Sequence, residues 1–227
     1  MASWSQLGFQ DAFCNNIQII ILFHDHCLFV LTIILFVISY IICYIFFSRL
    51  TLRYIYEGVI VETIWTCVPS IILVCLCLPR LQILYMVDEV LDSWITVKVI
   101  GRQWYWDYEY LNLDGKSINY SSYIKRENIL ELGEPRILSV GSPLVLPFLK
   151  LVRVLVTSGD VIHRFSVPSL GLKIDAIPGK LRSGLCEFFG PGKFHGICSE
   201  LCGVIHANIP ISIEVLSLND FLKWLED

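Results

Sequence analysis

The sequence is poor in methionine, in charged residues and in positive charge. Only 2 of its 227 residues are Met, and charged side chains make up 17% of the chain. The formal net charge is −4, so the chain lacks the basic surface that nucleic-acid binding requires. The hydrophobic fraction is 55%, above that of an ordinary soluble domain. The lack of positive charge excludes a nucleic-acid-binding protein, and the low charged fraction together with the high hydrophobic fraction favours a membrane protein.

The sequence also lacks the usual marks of a secreted protein. Residues 1–8 contain no basic segment, and no apolar run with a cleavage site follows them. We therefore expect the chain to enter its membrane without a cleaved leader. Its 9 cysteines do not form a disulfide pattern, because most lie inside apolar runs, where free Cys behaves as a small hydrophobe. These buried-type cysteines are Cys27, Cys43, Cys67, Cys75 and Cys77. Cys14 and Cys186 have no assigned role.

Two long apolar runs in residues 1–90 predict a transmembrane hairpin. The run 27–47 contains no charged residue, and a helix that crosses a bilayer needs about 20 such residues. The run 63–87 is interrupted by Pro69 and Pro79, which transmembrane helices tolerate where neighbours satisfy the freed backbone groups. We therefore predict an N-terminal segment and two membrane helices.

The connection between these runs predicts the orientation of the chain. It carries Arg49 and Arg53, and basic residues favour the matrix or cytoplasmic side of a membrane. Both termini are then expected on the opposite side. Glu62 would lie at the inner boundary of the second helix, where an ionisable residue is often merely interfacial.

Residues 91–227 have the pattern of an all-β domain. Apolar residues alternate with polar ones at 95–99 and again at 211–215, while 151–156 is a nearly continuous apolar run. Turn-forming residues separate these runs at short intervals, which is typical of an antiparallel sandwich or barrel. A domain of this length is large enough to have its own core.

Thiol and imidazole side chains near the C-terminus have the spacing of metal ligands. Cys198, Cys202 and His206 lie within one short segment, and His163 lies upstream at the end of a strand-like run. Sulfur and imidazole ligands suit copper or zinc, whereas calcium and magnesium prefer oxygen. Copper electron-transfer sites on β-sandwiches combine a distant His with such a loop, and two thiolates could bridge two ions. A structural zinc site remains the alternative.

Longer motifs are distributed over nearly the whole chain. They are Gly8–Asp11, Phe23–His26, Val61–Trp65, Ile83–Met86, Gly101–Trp106, Val167–Lys173 and Cys198–Gly203. In these motifs the sequence resembles the cytochrome c oxidase subunit II family, in its mitochondrially encoded form. The resemblance implies a cupredoxin-like domain that carries a dinuclear copper centre, called CuA.

The resemblance also implies a ligand set. Cys198 and Cys202 would be the bridging thiolates, and His163 and His206 would each bind one copper. Glu200 would supply its backbone carbonyl to copper and its side chain to a magnesium ion shared with subunit I.

The family pattern breaks at residue 209. The family has an axial Met ligand there, before a Pro, but this sequence has Ile209. An Ile offers no donor atom, and the axial ligand tunes the copper potential. Ile17 and Ile124 also occupy positions where the family commonly has Met. Since several mitochondrial codes read AUA as Met, we hypothesise that some of these isoleucines are methionines in the protein itself.

The resemblance implies further roles for residues outside the metal site. Trp104 would receive electrons from cytochrome c, although the aromatic run 104–108 also suits a sandwich core. Glu62 would mark the mouth of a proton channel in subunit I. Cytochrome c would dock through exposed carboxylates, for which a simple solvated surface is the alternative. These carboxylates are Glu109, Asp160 and Asp175.

The function implied is that of the electron-transfer subunit of a terminal respiratory oxidase. The subunit would pass electrons from cytochrome c through copper to heme in subunit I, for oxygen reduction coupled to proton pumping. We expect a multi-pass protein of the mitochondrial inner membrane, surrounded by lipid and other oxidase subunits, with its copper domain in the intermembrane space. The alternatives are a copper-free quinol-oxidase-type subunit II and a membrane-anchored copper-binding protein.

Overall fold

A computed structural model describes residues 5–51, 53–54, 56–88, 92–111 and 117–226. The chain divides into two compact units, one of residues 1–19 with 87–227 and one of residues 20–86. The predicted domain boundary, between residues 90 and 91, lies outside the described residues, so the predicted division stays a prediction.

Two long helices account for both apolar runs. They are α1 (Asn15–Phe47) and α2 (Val59–Asp88). Both begin earlier than the predicted 27–47 and 63–87, because the mostly apolar residues before each predicted start continue the helix past the charged or polar ones. Both helices are long and apolar enough to cross a membrane. The hydroxyls of Thr32 and Ser70 donate to the carbonyl four residues earlier, at 2.7 and 2.8 Å. These bonds satisfy polar groups within the helix, as an apolar surrounding requires.

The remaining described elements form a β-sandwich of two five-stranded sheets and a short C-terminal helix. The strands are β1 (Ile95–Arg102), β2 (Tyr105–Leu111), β3 (Ser117–Ser122), β4 (Leu144–Pro147), β5 (Leu151–Ser158), β6 (His163–Val167), β7 (Leu172–Ala176), β8 (Arg182–Glu187), β9 (Gly192–Cys198) and β10 (Pro210–Leu216), and the helix is α3 (Leu218–Glu226). The sheet orders are β3-β2-β1-β5-β8 and β4-β10-β9-β6-β7. The predicted sandwich is confirmed.

The sequence suggested that all strands are antiparallel, but two pairs of strands are parallel. β1 pairs with β5, and β10 with β4, in parallel. The expectation of a purely antiparallel sheet was therefore wrong at these two pairings. Alternation with a period of two identifies a strand and its buried face, but it carries no information about the direction of the neighbouring strand.

The core lies between the two sheets and is rich in aromatic residues. Trp106, Tyr108 and Tyr110 alternate along β2, and all three are fully buried. Trp106 meets Phe165 of the other sheet edge-on, with ring centroids 5.2 Å apart. The Tyr110 hydroxyl donates to the Val145 carbonyl of the other sheet at 2.8 Å. Such contacts make a stiff scaffold beneath the loop that precedes β6 and the loop that follows β9.

The pairing of β6 with β9 explains why two distant segments meet. The strands are antiparallel, with Phe165 opposite Cys198. His163 is the first residue of β6, and Cys198 is the last residue of β9, so the pairing places both at one end of the sheet.

Candidate metal centre

Three predicted ligands converge at this end of the sheet. The donor atoms of His163, Cys198 and Cys202 lie within 4.8 Å of one another, and all three residues are buried. The Cys198 sulfur is 3.9 Å from His163 Nδ1 and 4.0 Å from the Cys202 sulfur. Two sulfurs and an imidazole nitrogen that surround a common point suit a soft or borderline metal ion.

The other two predicted donors adjoin this cluster. His206 begins a 3₁₀ turn (His206–Asn208), and its Nδ1 lies 3.5 Å from the Cys202 sulfur. The carbonyl oxygen of Glu200 lies 3.4 Å from the Cys198 sulfur. The structure therefore brings together every side chain of the predicted copper ligand set except the axial one, and the predicted carbonyl with them.

His163 is oriented by Asp160. Nε2 of His163 lies 2.8 Å from Oδ1 of Asp160, which leaves Nδ1 facing the sulfurs. The backbone N–H of Gln103 donates to the other carboxylate oxygen at 2.6 Å. A carboxylate behind a ligating imidazole fixes its orientation and raises its basicity. A Cβ on Gly101 would lie 2.9 Å from His163 Cδ2, so the imidazole also packs directly on the backbone of β1.

The two thiols differ in acidity. Burial would raise the pKa of Cys198, but hydrogen bonds from His163 and from the Arg164 backbone outweigh burial and lower the pKa to about 6. Burial and the neighbouring Cys198 charge raise the pKa of Cys202 to about 12. Since metal coordination deprotonates thiols, both sulfurs suit a cation, and the donor set fits copper.

Trp104 lies beside the metal-ligand loop. It is half-buried in the turn between β1 and β2, unlike Trp106 and Tyr108, which pack in the core. A Cβ on Gly203 would lie 3.2 Å from Trp104 Nε1, and Gly203 has φ +129°, a conformation that favours glycine. Gln103 also donates to the Cys202 carbonyl at 2.9 Å. The segment that carries Cys202 therefore rests on the turn that carries Trp104.

Ile209 is buried at the base of this loop, with 1% of its surface exposed. Its carbonyl oxygen accepts a hydrogen bond from the Cys198 backbone at 3.0 Å. The loop that leaves the sheet at Cys198 is thus closed at residue 209. Glu62 lies apart from this cluster in sequence, in the first turn of α2, which belongs to the other unit.

The predicted docking carboxylates are bonded within the chain. Glu109 accepts from Lys98 Nζ at 2.7 Å, and Asp175 pairs with Arg164. Asp160 bonds His163, as described above.

No feature of the sequence indicated a role for Arg164, which bonds one of these carboxylates, Asp175. It also contacts a Glu200 carboxylate oxygen through Nη2 at 2.9 Å. No motif marks Arg164, whereas the spacing of Asp160 and His163 could have indicated a second role for Asp160.

Removing the charge of Asp160 should weaken the metal site. We expect Asp160→Asn to lower copper affinity about 10- to 100-fold, because the amide no longer holds His163 as a basic, oriented ligand. Competition between the purified protein and a copper chelator measures this loss. Asp220→Asn, on α3, is the matched control and should retain copper normally. Equal retention by both variants would contradict a positioning role for Asp160.

Comparison with known proteins covers both parts of the chain. The family "Cytochrome C oxidase subunit II, periplasmic domain" matches residues 95–216, and the transmembrane domain of the same subunit matches residues 2–83. Cytochrome c oxidase subunit 2 of Oncopeltus fasciatus is 43% identical over 225 residues, which are 99% of this chain and 97% of that protein. The Aedes aegypti protein is also 43% identical, over 99% of this chain and 98% of its own length.

A solved structure agrees with these matches. The crystal structure of the periplasmic domain of cytochrome oxidase subunit II from Bradyrhizobium japonicum superimposes with a TM-score of 0.56 and 40% identity. It covers 61% of this chain and 95% of that domain. Similarity therefore extends through the helices, the sandwich and the Cys/His loop. Because the sequence similarity also covers nearly the full length of the relatives, this chain belongs to the cytochrome c oxidase subunit II family.

Proposed function

We propose that this chain receives single electrons from cytochrome c at a dinuclear copper centre and passes them to subunit I. Family membership makes the chain an electron-transfer subunit of an oxidoreductase complex. The observation that carries the finer proposal is the buried pair of sulfurs 4.0 Å apart, flanked by imidazole nitrogens. A structural zinc site would not need the neighbouring indole of Trp104.

The residues of the cluster have distinct roles in this proposal. Cys198 and Cys202 would bridge two copper ions, His163 and His206 would each bind one, and the Glu200 carbonyl would complete the set. When bound, the copper pair supplies a carrier that gains and loses one electron with little change in bond lengths. The Glu200 side chain would reach a magnesium ion at subunit I, in exchange for its present contact with Arg164.

Trp104 is the proposed point at which electrons enter. Its half-buried ring lies so close to Gly203, the residue after Cys202, that a Cβ there would lie 3.2 Å from Trp104 Nε1, so the indole adjoins the loop that carries Cys202. An electron that reaches the indole therefore has a short path toward the cluster.

Docking of basic cytochrome c would use the acidic surface of this domain. Glu109, Asp160 and Asp175 are the proposed carboxylates, and charge complementarity acts chiefly on the association rate. Because each already bonds a group of this chain, we expect each to contribute modestly and to lose its effect as salt rises.

The chain is a membrane protein, and its finer placement is proposed here. Arg49 and Arg53 favour the matrix side of the mitochondrial inner membrane for the loop between α1 and α2. Both termini and the copper domain would then face the intermembrane space. Glu62, at the start of α2, would lie at the mouth of a proton channel in subunit I. Lipid and other subunits would cover the exposed apolar surfaces of both helices.

Rapid mixing of the purified oxidase complex with reduced cytochrome c tests the proposal. We expect the copper absorption to change before the heme absorption, and the rate to fall as ionic strength rises. Metal analysis should give two copper ions for each copy of this chain. Copper-free complex that accepts electrons from quinol, or zinc in place of copper, would overturn the proposal.

The identity of residue 209 in the mature protein is a separate prediction. We expect Met, because residue 209 is buried at the end of the ligand loop, where a thioether would complete the site. Tandem mass spectrometry of the tryptic peptide Phe194–Lys223 from native protein distinguishes Met from Ile. If the residue is Ile, the decoding hypothesis is wrong, and one copper lacks its axial thioether. An altered potential and faster copper loss are then expected.

A further inference from the structure

Two cysteines outside the metal centre lie side by side in the interior. Cys14 and Cys186 are 0% and 1% exposed. Their sulfur atoms are 2.6 Å apart, although the residues are separated by 172 positions in the chain. Both belong to the same compact unit, and the proposed electron path uses neither.

Backbone pairing brings these two side chains together. Cys14 forms an antiparallel bridge with Phe188, just beyond the end of β8, and Phe189 N–H donates to the Phe13 carbonyl at 3.1 Å. Cys186 is two residues before Phe188, so it faces the same side of the strand and is a diagonal neighbour of Cys14. The Asn16 side chain adds a bond to the Leu185 carbonyl at 2.7 Å. The segment before α1 is thus docked against strand β8.

We propose that Cys14 and Cys186 form a disulfide that fastens this N-terminal segment to the β-sandwich. Two S–H bonds break and one S–S bond forms. The two electrons and two protons pass to an acceptor disulfide, on a protein or a small molecule, which becomes two thiols. This cross-link goes beyond the proposed function, and the proposed location outside the matrix is compatible with it, because disulfides persist in oxidising compartments.

The chemistry of the pair favours thiol–disulfide exchange. The hydrogen bond between Cys14 and Cys186 outweighs the effect of burial on Cys14 and lowers the pKa of Cys14 to about 7. Burial raises the pKa of Cys186. Because both sulfurs are buried once the segment has docked, the exchange with the acceptor disulfide would take place during docking, with Cys14 as the attacking thiolate and Cys186 resolving the mixed disulfide.

A metal site is the competing explanation for two adjacent thiols. In the part of the chain that the structure describes, the one group of three or more potential ligands is that of His163, Cys198 and Cys202. Cys14 and Cys186 thus have no third ligand there. Their sulfurs are also closer than two separate thiolates on one metal ion would be, which favours a direct S–S bond.

The cross-link would act on a segment that already packs well. The ring of Phe13 lies 5.0 Å from that of Phe194, and Ile17 is 3% exposed. A disulfide across so long a loop removes much of the freedom of the unfolded chain. Reduction should therefore make the N-terminal segment easier to detach, although its packing remains, and should leave the metal ligands in place.

Non-reducing peptide mapping of the purified oxidase complex tests the proposal. The complex is denatured in N-ethylmaleimide and digested with chymotrypsin, and the peptides are identified by mass spectrometry before and after reduction. We expect the peptides that contain Cys14 and Cys186 to be joined, unalkylated and separable by reduction. Alkylated Cys27 and Cys43 serve as internal controls. Alkylation of both Cys14 and Cys186 would overturn the proposal.

Variants separate the disulfide from a metal site. In Cys14→Ser we expect loss of the joined peptide, alkylation of Cys186, and faster proteolysis of the N-terminal segment, with copper content unchanged. Cys14→Ser/Cys186→Ser should behave like the single variant, and Cys27→Ser should match the unaltered protein. Loss of a bound metal ion from Cys14→Ser would instead show a dithiol metal site and overturn the disulfide. Cytochrome c oxidation, unchanged in every case, keeps this test independent of the proposed function.

Discussion

Replacing Cys198 with Ser should remove copper from the oxidase complex and lower cytochrome c oxidation by more than about 100-fold. Loss of a supporting residue already costs about 10- to 100-fold in metal affinity, and Cys198 is itself a proposed ligand. Its sulfur lies within 4.8 Å of the donor atoms of His163 and Cys202, so it is central to the cluster. It is also the more acidic thiol, with a pKa lowered to about 6 despite burial, whereas a serine hydroxyl remains protonated and is a poor ligand for copper.

Copper analysis and steady-state oxidation of cytochrome c measure this effect in the same preparation. Cys67→Ser is the matched control, because Cys67 lies on the exposed surface of α2, in the other unit, and should leave both quantities unchanged. Heme content reports whether the complex has assembled. If Cys198→Ser assembles normally and keeps two copper ions, the ligand assignment is wrong.

The sequence predicted the architecture because each element has a strong local signature. An uncharged run such as 27–47 can satisfy its backbone in a membrane only as a helix. The alternation at 95–99 predicted a strand with one buried face, and Ile95, Val97 and Val99 are indeed buried in β1. The clustering of the proposed ligands could be anticipated because three of the four side chains, all but His163, lie within nine residues, at 198–206.

Other features depend on long-range pairing that no local pattern encodes. The parallel pairing of β1 with β5 follows from how the chain crosses between the sheets. The sequence assigned no role to Cys14 or Cys186, and only the bridge between Cys14 and Phe188 shows that their sulfurs lie side by side. Asp160 was predicted to be a docking carboxylate, but its bond to His163 gives it a positioning role that depends on the fold of the loop.

The aromatic run 104–108 contains residues in two different environments, the core and the turn that carries Trp104. Alternation along 104–108 predicts buried rings, and Trp106 and Tyr108 are buried as expected for a core. Trp104 precedes β2 and lies in the turn, so the periodicity of the strand does not determine its surroundings. Its contact with Gly203 comes from the ligand loop, which is remote in sequence. Only the folded chain shows that Trp104 adjoins the loop of Cys202, whereas Trp106 packs on His163 from within the core.

Replacing Trp104 with Leu should slow electron transfer from cytochrome c on the order of 100-fold, the scale at which lost positioning slows a reaction. Copper content should not change, because Trp104 is not a ligand. Stopped-flow reduction by cytochrome c measures the effect. A small-molecule reductant, which can reach the centre by other routes, should reduce the variant at nearly the normal rate. Equal slowing with both reductants would indicate damage to the site and contradict a specific role for the indole.

Gly203→Ala tests the same path while keeping the indole. A Cβ at this position would lie 3.2 Å from Trp104 Nε1, and the residue has φ +129°, so the loop or the ring must move. We expect slower reduction by cytochrome c than in the unaltered protein, with the small-molecule reductant again nearly unaffected. If Trp104→Leu slows the reaction but Gly203→Ala does not, the indole is needed for electron entry, but its close approach to Gly203 is not. If both slow it, the contact between ring and loop is itself part of the electron path.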